Sequence, residues 1–152
     1  PIPSRGLGDV YKRQVTTLLI PGYNDSGSEL EKLSCWMVEQ LGPEVPLHFS
    51  AFHPDWKMRD VERTPHQTLI RAREIALANG IHHVYLGNVH DHQGSSTYCH
   101  ACGQILIGRD WYVLSDWNLD SQGRCSNCLE PCPGHFEPTP GNWGSRRKPV
   151  QV

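Results

Sequence analysis

The chain has 152 residues, of which 38% are hydrophobic, 14 are glycine and 12 are proline. This composition fits one ordinary globular domain, or a modest domain with a small appendage, and it excludes a low-complexity or disordered chain. The length excludes a complete eight-stranded α/β barrel, which needs about 250 residues. The formal net charge is −2, which disfavours binding to nucleic acid through a broad basic face.

The sequence has no segment long enough to span a membrane. The longest apolar run, Val15–Ile20, is far shorter than the roughly 20 residues that a membrane-spanning helix takes. No basic region joined to a longer apolar stretch indicates a secretory signal. Six cysteines in such a chain favour a reducing compartment, where thiols bind metals more often than they form disulfides. We therefore expect a cytoplasmic protein without a membrane partner.

The first elements in chain order predict a strand, a loop and a helix. Residues 1–14 have no periodicity, and we interpret them as an irregular or non-native leader. The run Val15–Ile20 predicts a buried strand that ends at Pro21. A helix with an apolar face follows, for which residues 24–28 offer several N-cap candidates, and Ser28 and Glu31 also have the spacing of a capping box.

The same order then repeats. Val45–Phe52 predicts a second strand, and Thr64 is placed as the N-cap of a second helix that ends at Asn79-Gly80. Val84–Val89 predicts a third strand. Alternation of strands and helices predicts a parallel sheet, whose ligands lie beyond the carboxyl ends of the strands. The segments that should meet at that edge are 21–25, 53–55 and 88–92.

After Gln93 the pattern changes to short strands, Gln104–Ile107 and Trp111–Leu114, and a domain boundary is predicted near Gly94. Two Cys-x2-Cys pairs enclose these strands. Such pairs can place four thiolates around one zinc ion, which stabilises a module too small for a sufficient core of its own. The predicted metal ligands are Cys99, Cys102, Cys125 and Cys128.

Several alternatives remain open for the cysteines and histidines. The same four ligands suit iron bound as in rubredoxin, and a thioredoxin-like redox pair is a further option. Cys132 could compete as a ligand, whereas Cys35 lies in an apolar helix and is interpreted as a core residue. His53 ends a strand at the expected ligand edge, where it either contacts a cofactor or simply closes the loop. The remaining candidates are loop or strand histidines that spacing does not unite: His82, His83, His90, His92 and His100.

Six segments together carry a resemblance to a known family. They are Thr17–Asp25, Ser50–Asp55, Lys57-Met58, Ala72–Ala76, Val84–Asn88 and Thr97–Gly103. In this order and spacing, from about Val15 to about Phe136, the chain resembles the C-terminal part of the radical S-adenosylmethionine enzyme of the AmmeMemoRadiSam system. That enzyme is a relative of the pyruvate formate-lyase-activating enzymes.

The resemblance implies a fold and a chemistry. The fold would be the C-terminal βαβαβ portion of a partial TIM-type barrel over residues 15–93, a small zinc ribbon over 94–136 and a flexible tail over 137–152. In such enzymes a [4Fe-4S] cluster reductively cleaves S-adenosylmethionine to a radical that abstracts hydrogen from a substrate. The family's cofactor contacts carry over to His53 and, less closely, to Thr16 or Thr17.

One departure from the family limits what this chain can do alone. The family binds its cluster through a Cys-x3-Cys-x2-Cys motif, which this sequence lacks; Cys125, Cys128 and Cys132 have the reverse spacing. We therefore expect a fragment of the enzyme that is inactive by itself, with an unidentified substrate for which a protein is one candidate. The alternative is an autonomous zinc-ribbon module that binds a protein partner.

Overall fold

The structure is a computed structural model, and it describes residues 13–142 and 144–146. Most of the predicted leader, residues 1–12, and part of the predicted tail, residues 143 and 147–152, lie outside the described residues. The chain divides into two compact units between Val89 and His90. None of the described helices has the length and apolar character needed to cross a membrane.

The first unit is a three-stranded parallel sheet with two helices. Its strands lie in the order β1-β2-β3, so each strand pairs with its neighbours in the sequence. The elements are β1 (Val15–Leu19), α1 (Gly27–Leu41), β2 (Leu47–Ala51), α2 (His66–Ala78) and β3 (Val84–Gly87). The strands are one to three residues shorter than predicted, because the chain turns away as soon as the pairing ends.

Both helices pack against the same face of this sheet. Alternate strand residues such as Leu47 and Phe49 are fully buried in one core with Leu30 and Met37 of α1 and Leu69 of α2. The alternate residues of the opposite face belong to no core cluster, and they are Thr16, Leu18, His48, Ser50, Tyr85 and Gly87. The sheet is therefore covered by helices on one side only.

Helix α1 begins with a serine N-cap, Ser26. The Ser26 Oγ accepts from the backbone N–H of Glu29 at 3.3 Å and donates to the Glu29 carboxylate at 3.3 Å. Ser26 is one of the N-cap candidates that the sequence offers among residues 24–28, whereas the Ser28–Glu31 pair does not form the cap. Two overlapping Ser-x-x-Glu patterns occur here, and the sequence alone does not decide between them.

The second helix lacks the predicted side-chain cap, because Thr64 has a different role. Pro65 occupies the N-cap position of α2 without a capping hydrogen bond. The Thr64 hydroxyl donates to the carbonyl oxygen of Leu19 at 2.6 Å and accepts from the backbone N–H of Phe52 at 2.7 Å. Thr64 is buried and joins the carboxyl ends of β1 and β2.

The second unit is a small antiparallel sheet. It contains a short helix, α3 (His92–Ser95), and strands β4 (Thr97–Tyr98), β5 (Ile105–Asp110) and β6 (Val113–Trp117) in the order β4-β5-β6. Trp111, predicted to start the last strand, is instead one of two turn residues between β5 and β6. The described core of this unit is small, and three of its six buried members are cysteines.

We expect Thr64→Val to destabilise the first unit. The substitution keeps the shape of the side chain but leaves the Leu19 carbonyl and the Phe52 N–H without this partner, at a cost of about 2 kcal/mol in the free energy of unfolding. Urea unfolding followed by far-ultraviolet circular dichroism measures the change. Thr16→Val is the matched control, because Thr16 is exposed on a strand, and equal effects of the two substitutions would contradict the role of Thr64.

Candidate metal centre

Four cysteine sulfur atoms come together in the second unit. The Sγ atoms of Cys99, Cys102, Cys125 and Cys128 all lie within 4.8 Å of one another. The Sγ atoms of Cys99 and Cys128 are 3.6 Å apart, and those of Cys102 and Cys125 are 3.7 Å apart. None of these cysteines forms a disulfide.

These distances fit a tetrahedral metal ion. Zinc–sulfur bonds of about 2.3 Å in a tetrahedron place neighbouring sulfur atoms about 3.8 Å apart. Four thiolates are the donor set of structural zinc sites, and the same set also binds iron. With four protein ligands no coordination position is open to water or substrate, so such a site stabilises structure rather than reacting.

Both Cys-x2-Cys loops have the same backbone geometry. In the first, the N–H of Cys99 donates to the carbonyl of Gln104 at 2.8 Å, and the N–H of Gly103 donates to the carbonyl of Cys99 at 2.9 Å. In the second, the N–H of Cys125 donates to the carbonyl of Glu130 at 2.9 Å, and the N–H of Leu129 donates to the carbonyl of Cys125 at 2.9 Å. The two loops are structural equivalents.

In both loops a backbone N–H group forms a hydrogen bond to the sulfur atom of the second cysteine. The backbone N–H of Gln104 bonds to the Cys102 sulfur, and that of Glu130 bonds to the Cys128 sulfur. In each case the donor is two residues beyond the cysteine. Backbone N–H groups directed at sulfur stabilise thiolates, as a metal centre requires.

The residue after the second cysteine has a positive φ in both loops. Gly103 has φ 74° and Leu129 has φ 63°. Glycine adopts this conformation without a steric penalty, whereas a leucine is strained by its Cβ atom. The second loop therefore keeps the geometry of the first at an energetic cost.

The pKa values of the second cysteine in each loop, Cys102 and Cys128, are shifted in opposite directions. Hydrogen bonds from the Asn127 side chain and the Gln104 backbone lower the pKa of Cys102 to about 6. The Glu130 N–H acts to lower the pKa of Cys128, but the neighbouring Cys102 sulfur and desolvation outweigh it and raise that pKa to about 12. A divalent cation removes this conflict, because it compensates several thiolate charges at once.

Side chains outside the ligand set hold the two loops in place. His100 Nε2 lies 3.5 Å from the Glu130 carboxylate and so links the first loop to the second. Before the second loop, the Asp120 carboxylate accepts from the backbone N–H groups of Gln122 and Arg124 and forms an ion pair with the Arg124 guanidinium. The Arg124 backbone bond, followed by the bonds of its side chain, lowers the pKa of Asp120.

Cys132 is close to the ligand group without belonging to it. It is buried in the same core cluster as Cys99 and Cys125, but it is not among the four sulfur atoms that lie within 4.8 Å of one another. Burial, followed by the nearby Cys99, raises the pKa of Cys132 to about 11. Cys132 thus remains a neutral thiol beside the centre.

The cofactor contacts expected in the first unit lie at two different levels of the sheet. His53 is exposed two residues beyond the end of β2, at the carboxyl edge. Thr16 and Thr17 are level with His48 and Phe49 in the register of β1 and β2, well below that edge. Thr16 lies on the open face of the sheet, and Thr17 shares the face of Leu19, which packs on the helices.

The other cysteine and histidine candidates are dispersed among the described residues. His90 contacts Asp110, His92 contacts Ser115, and the Cys35 thiol donates to the Asn79 side chain. Contrary to the core position expected, Cys35 is exposed. It lies on the outer face of α1, because the buried face is the one that contains Leu30 and Met37.

The four-sulfur geometry predicts one metal ion per chain and names its ligands. Purified under anaerobic conditions, the protein should contain one equivalent of zinc, and Cys102→Ser should lose it because three thiolates hold zinc less tightly than four. Elemental analysis and the spectrum of the cobalt-substituted protein provide the measurement. Cys132→Ala is the matched control and should retain one equivalent; loss of the metal in this variant instead would contradict the ligand assignment.

The strained residue in the second loop predicts a stabilising substitution. Leu129 is 58% exposed, so Leu129→Gly loses little burial, removes the Cβ strain and should stabilise the second unit by about 0.5–1 kcal/mol. The reciprocal change Gly103→Leu should destabilise it by at least as much, since the two positions are equivalent. Urea unfolding of the zinc-loaded protein, followed by tryptophan fluorescence, compares them. A stability loss in Leu129→Gly would contradict the strain.

No protein-family model matches the chain, and no solved structure matches it. The chain is similar to a protein of Methanocaldococcus jannaschii that bears the name uncharacterized protein MJ0808. The two are 45% identical over 118 residues, which is 77% of this chain. The matched region covers 35% of the archaeal protein, so the chain spans about a third of the length of this relative.

Proposed function

We propose that the first unit is part of the α/β barrel of a radical S-adenosylmethionine enzyme of the AmmeMemoRadiSam type, and that the second is a zinc ribbon attached to it. The observation that carries the barrel assignment is the one-sided sheet of the first unit. Its three parallel strands follow the order of the sequence, and both helices pack on one face. In a barrel every helix lies outside and every strand turns its other face inward.

The residues on the open face support this proposal. They form two rows in register across the sheet, Thr16–His48–Tyr85 and Leu18–Ser50–Gly87. A barrel interior that is only a packed core is dominated by bulky branched residues. Here the open face carries hydroxyl groups and a stacked His48–Tyr85 pair, with ring centroids 4.9 Å apart. Such a face is suited to line a ligand cavity.

The carboxyl edge of the sheet is shaped by hydrogen bonds of loop side chains. After β1, the Asn24 side chain accepts from the N–H of Ile20 and donates to the carbonyl of Leu18. After β3, Asn88 has a positive φ of 59° and donates to the carbonyl of Ala51. Ordered loops at this edge are where barrel enzymes bind their ligands, and His53 is exposed there to contact S-adenosylmethionine.

The iron–sulfur cluster of the proposed enzyme does not fit the residues of this chain. The sequence contains no Cys-x3-Cys-x2-Cys motif, and the four gathered cysteines belong to the ribbon. The cluster would supply the electron that cleaves S-adenosylmethionine. We assign no step of that chemistry to the described residues, whose proposed roles are to bind the cofactor at His53 and to enclose the substrate.

A second candidate function is an autonomous zinc ribbon that binds a protein. It is favoured by the completeness of the second unit, in which all four ligands and a separate core cluster lie after residue 89. The two candidates differ in the role of the first unit. A barrel segment exposes the unpaired edges of β1 and β3, through which it should aggregate. An autonomous protein should be a stable monomer, so size-exclusion chromatography distinguishes the two candidates.

The barrel assignment predicts where the cluster forms. Reconstituted anaerobically with iron and sulfide, the 152-residue chain should form no [4Fe-4S] cluster and should not convert S-adenosylmethionine to deoxyadenosine. A longer parent chain that includes a Cys-x3-Cys-x2-Cys motif should do both, as absorbance and product chromatography would show.

His53→Ala in that parent should raise the KM for S-adenosylmethionine about tenfold, because it removes one hydrogen bond to a charged ligand. His135→Ala, an exposed histidine of the second unit, is the control and should leave KM unchanged. A parent that forms no cluster would refute the enzyme assignment, and equal KM values for His53→Ala and His135→Ala would refute the cofactor contact.

A further inference from the structure

The turn between β5 and β6 presents a group of exposed apolar side chains. Trp111, Tyr112 and Val113 are 64%, 68% and 63% exposed. The His90 ring contacts Trp111, and Asp110 precedes Trp111 in the chain. We call the surface formed by these five residues the aromatic tip. Three large consecutive apolar side chains in solvent are unusual for a protein surface and are typical of interaction sites.

Trp111 occupies a backbone position that does not suit it. Asp110 and Val113 pair across the hairpin, so Trp111 and Tyr112 form a two-residue turn. Trp111 is the first turn residue and has φ 52°. Such turns favour glycine, asparagine or aspartate at positions of positive φ, and a bulky residue there is strained. Strain at an exposed side chain indicates that the side chain serves something other than folding.

The tip has a defined arrangement rather than a loose one. The His90 ring lies against the Trp111 ring, with centroids 5.9 Å apart and planes tilted by 39°. His90 Nε2 lies 2.7 Å from the Asp110 carboxylate. An aromatic face and a carboxylate are therefore held side by side in solvent.

The charges of the second unit select the chemistry of a partner. The ribbon part of this unit, residues 90–136, contains five acidic side chains and two arginines, whereas the other basic residues of the unit follow that part, at positions 146–148. Both arginines are engaged internally, Arg109 with the Ser95 carbonyl and the Thr97 hydroxyl, and Arg124 with Asp120. This balance repels the phosphates of a nucleic acid and attracts a cation, which the faces of tryptophan and tyrosine also attract.

The first unit contains a cation–π contact between two of its own residues, Trp56 and Lys57. Trp56 is 76% exposed with φ 44°, and Lys57 Nζ lies 4.5 Å from its ring centroid. Trp56 thus receives its cation from the neighbouring residue. Trp111 has an aspartate as its preceding neighbour, which would complement a cation supplied by another molecule.

We propose that the aromatic tip binds an arginine-bearing segment of a partner protein. A guanidinium group stacks on the Trp111 face while the Asp110 carboxylate accepts its hydrogen bonds, and Tyr112 and Val113 cover the aliphatic part of the side chain. Arginine suits this site better than lysine, because its planar group stacks on a ring and donates to a carboxylate at the same time.

The test is a binding measurement on the zinc-loaded 152-residue protein. The probe is a fluorescein-labelled octapeptide of alternating arginine and glycine, followed by fluorescence anisotropy. Trp111→Asn should weaken binding about tenfold, as expected for loss of a cation–π contact, and should leave the melting temperature unchanged or higher, since asparagine accepts positive φ. Tyr112→Ser should weaken binding by a smaller factor without changing the turn residue that carries the strain.

Trp56→Asn is the matched control, because it makes the same substitution at an exposed tryptophan of positive φ in the other unit, and it should change the affinity less than twofold. Equal affinity of the Trp111→Asn variant and the unchanged protein would overturn the proposal. So would tighter binding of a labelled oligothymidylate than of the arginine peptide, which would indicate a nucleic-acid surface, or equal binding of a glutamate–glycine octapeptide. A lower melting temperature with loss of zinc in Trp111→Asn would show that Trp111 is structural.

Discussion

The contact among four cysteine sulfur atoms is the interaction on which the second unit depends. Apart from cysteines, the buried apolar residues of its core within the described part of the chain are Leu106, Ile107 and Leu119. A core of this size stabilises a module of this length too weakly by itself. A metal ion bound by the four cysteines would supply the stability that apolar burial does not, and the hydrogen bonds of the two loops direct the four sulfur atoms toward one point.

The first unit depends on a different constraint, which is that both helices share one face of the sheet. Burial of Phe49, Leu69 and Met37 stabilises that side, and the opposite side carries mostly polar and small residues together with Leu18 and Tyr85. Thr64 then joins two strands at the carboxyl edge, where the loops begin. A layer of helices on one face and an open opposite face are the arrangement on which the proposed barrel assignment rests.

Local patterns predicted much of this architecture. The β-branched runs, the apolar helix faces and the Cys-x2-Cys spacing are properties of short segments, and they placed the strands, the helices and the four gathered cysteines. The failures concern choices that tertiary contacts decide. Thr64 directly precedes a helix, as an N-cap would, but its hydroxyl bonds to the backbone at the ends of two strands. Trp111 is a residue type common in strands, but the pairing of Asp110 with Val113 makes it a turn residue.

The equivalence of the two metal loops was also beyond prediction, because Leu129 stands where the first loop has Gly103 and no sequence rule assigns a positive φ to leucine. The common Cys-x2-Cys spacing pairs the two loops in the sequence, and the shared hydrogen bonds show that their backbones are alike. Similarly, the spacing left Cys132 open as a ligand, and only the positions of the sulfur atoms separate it from the group.

The two Cys-x2-Cys loops constrain only the ends of the segment that connects them. The 22 residues between Cys102 and Cys125 leave the metal centre and return to it, so the centre fixes the two ends of this segment but not the length of the hairpin within it. Residues added in pairs at the turn would lengthen β5 and β6 while preserving which side chains face the core. The hairpin is thus a site where the chain can acquire a longer or different tip while the four ligands stay in place.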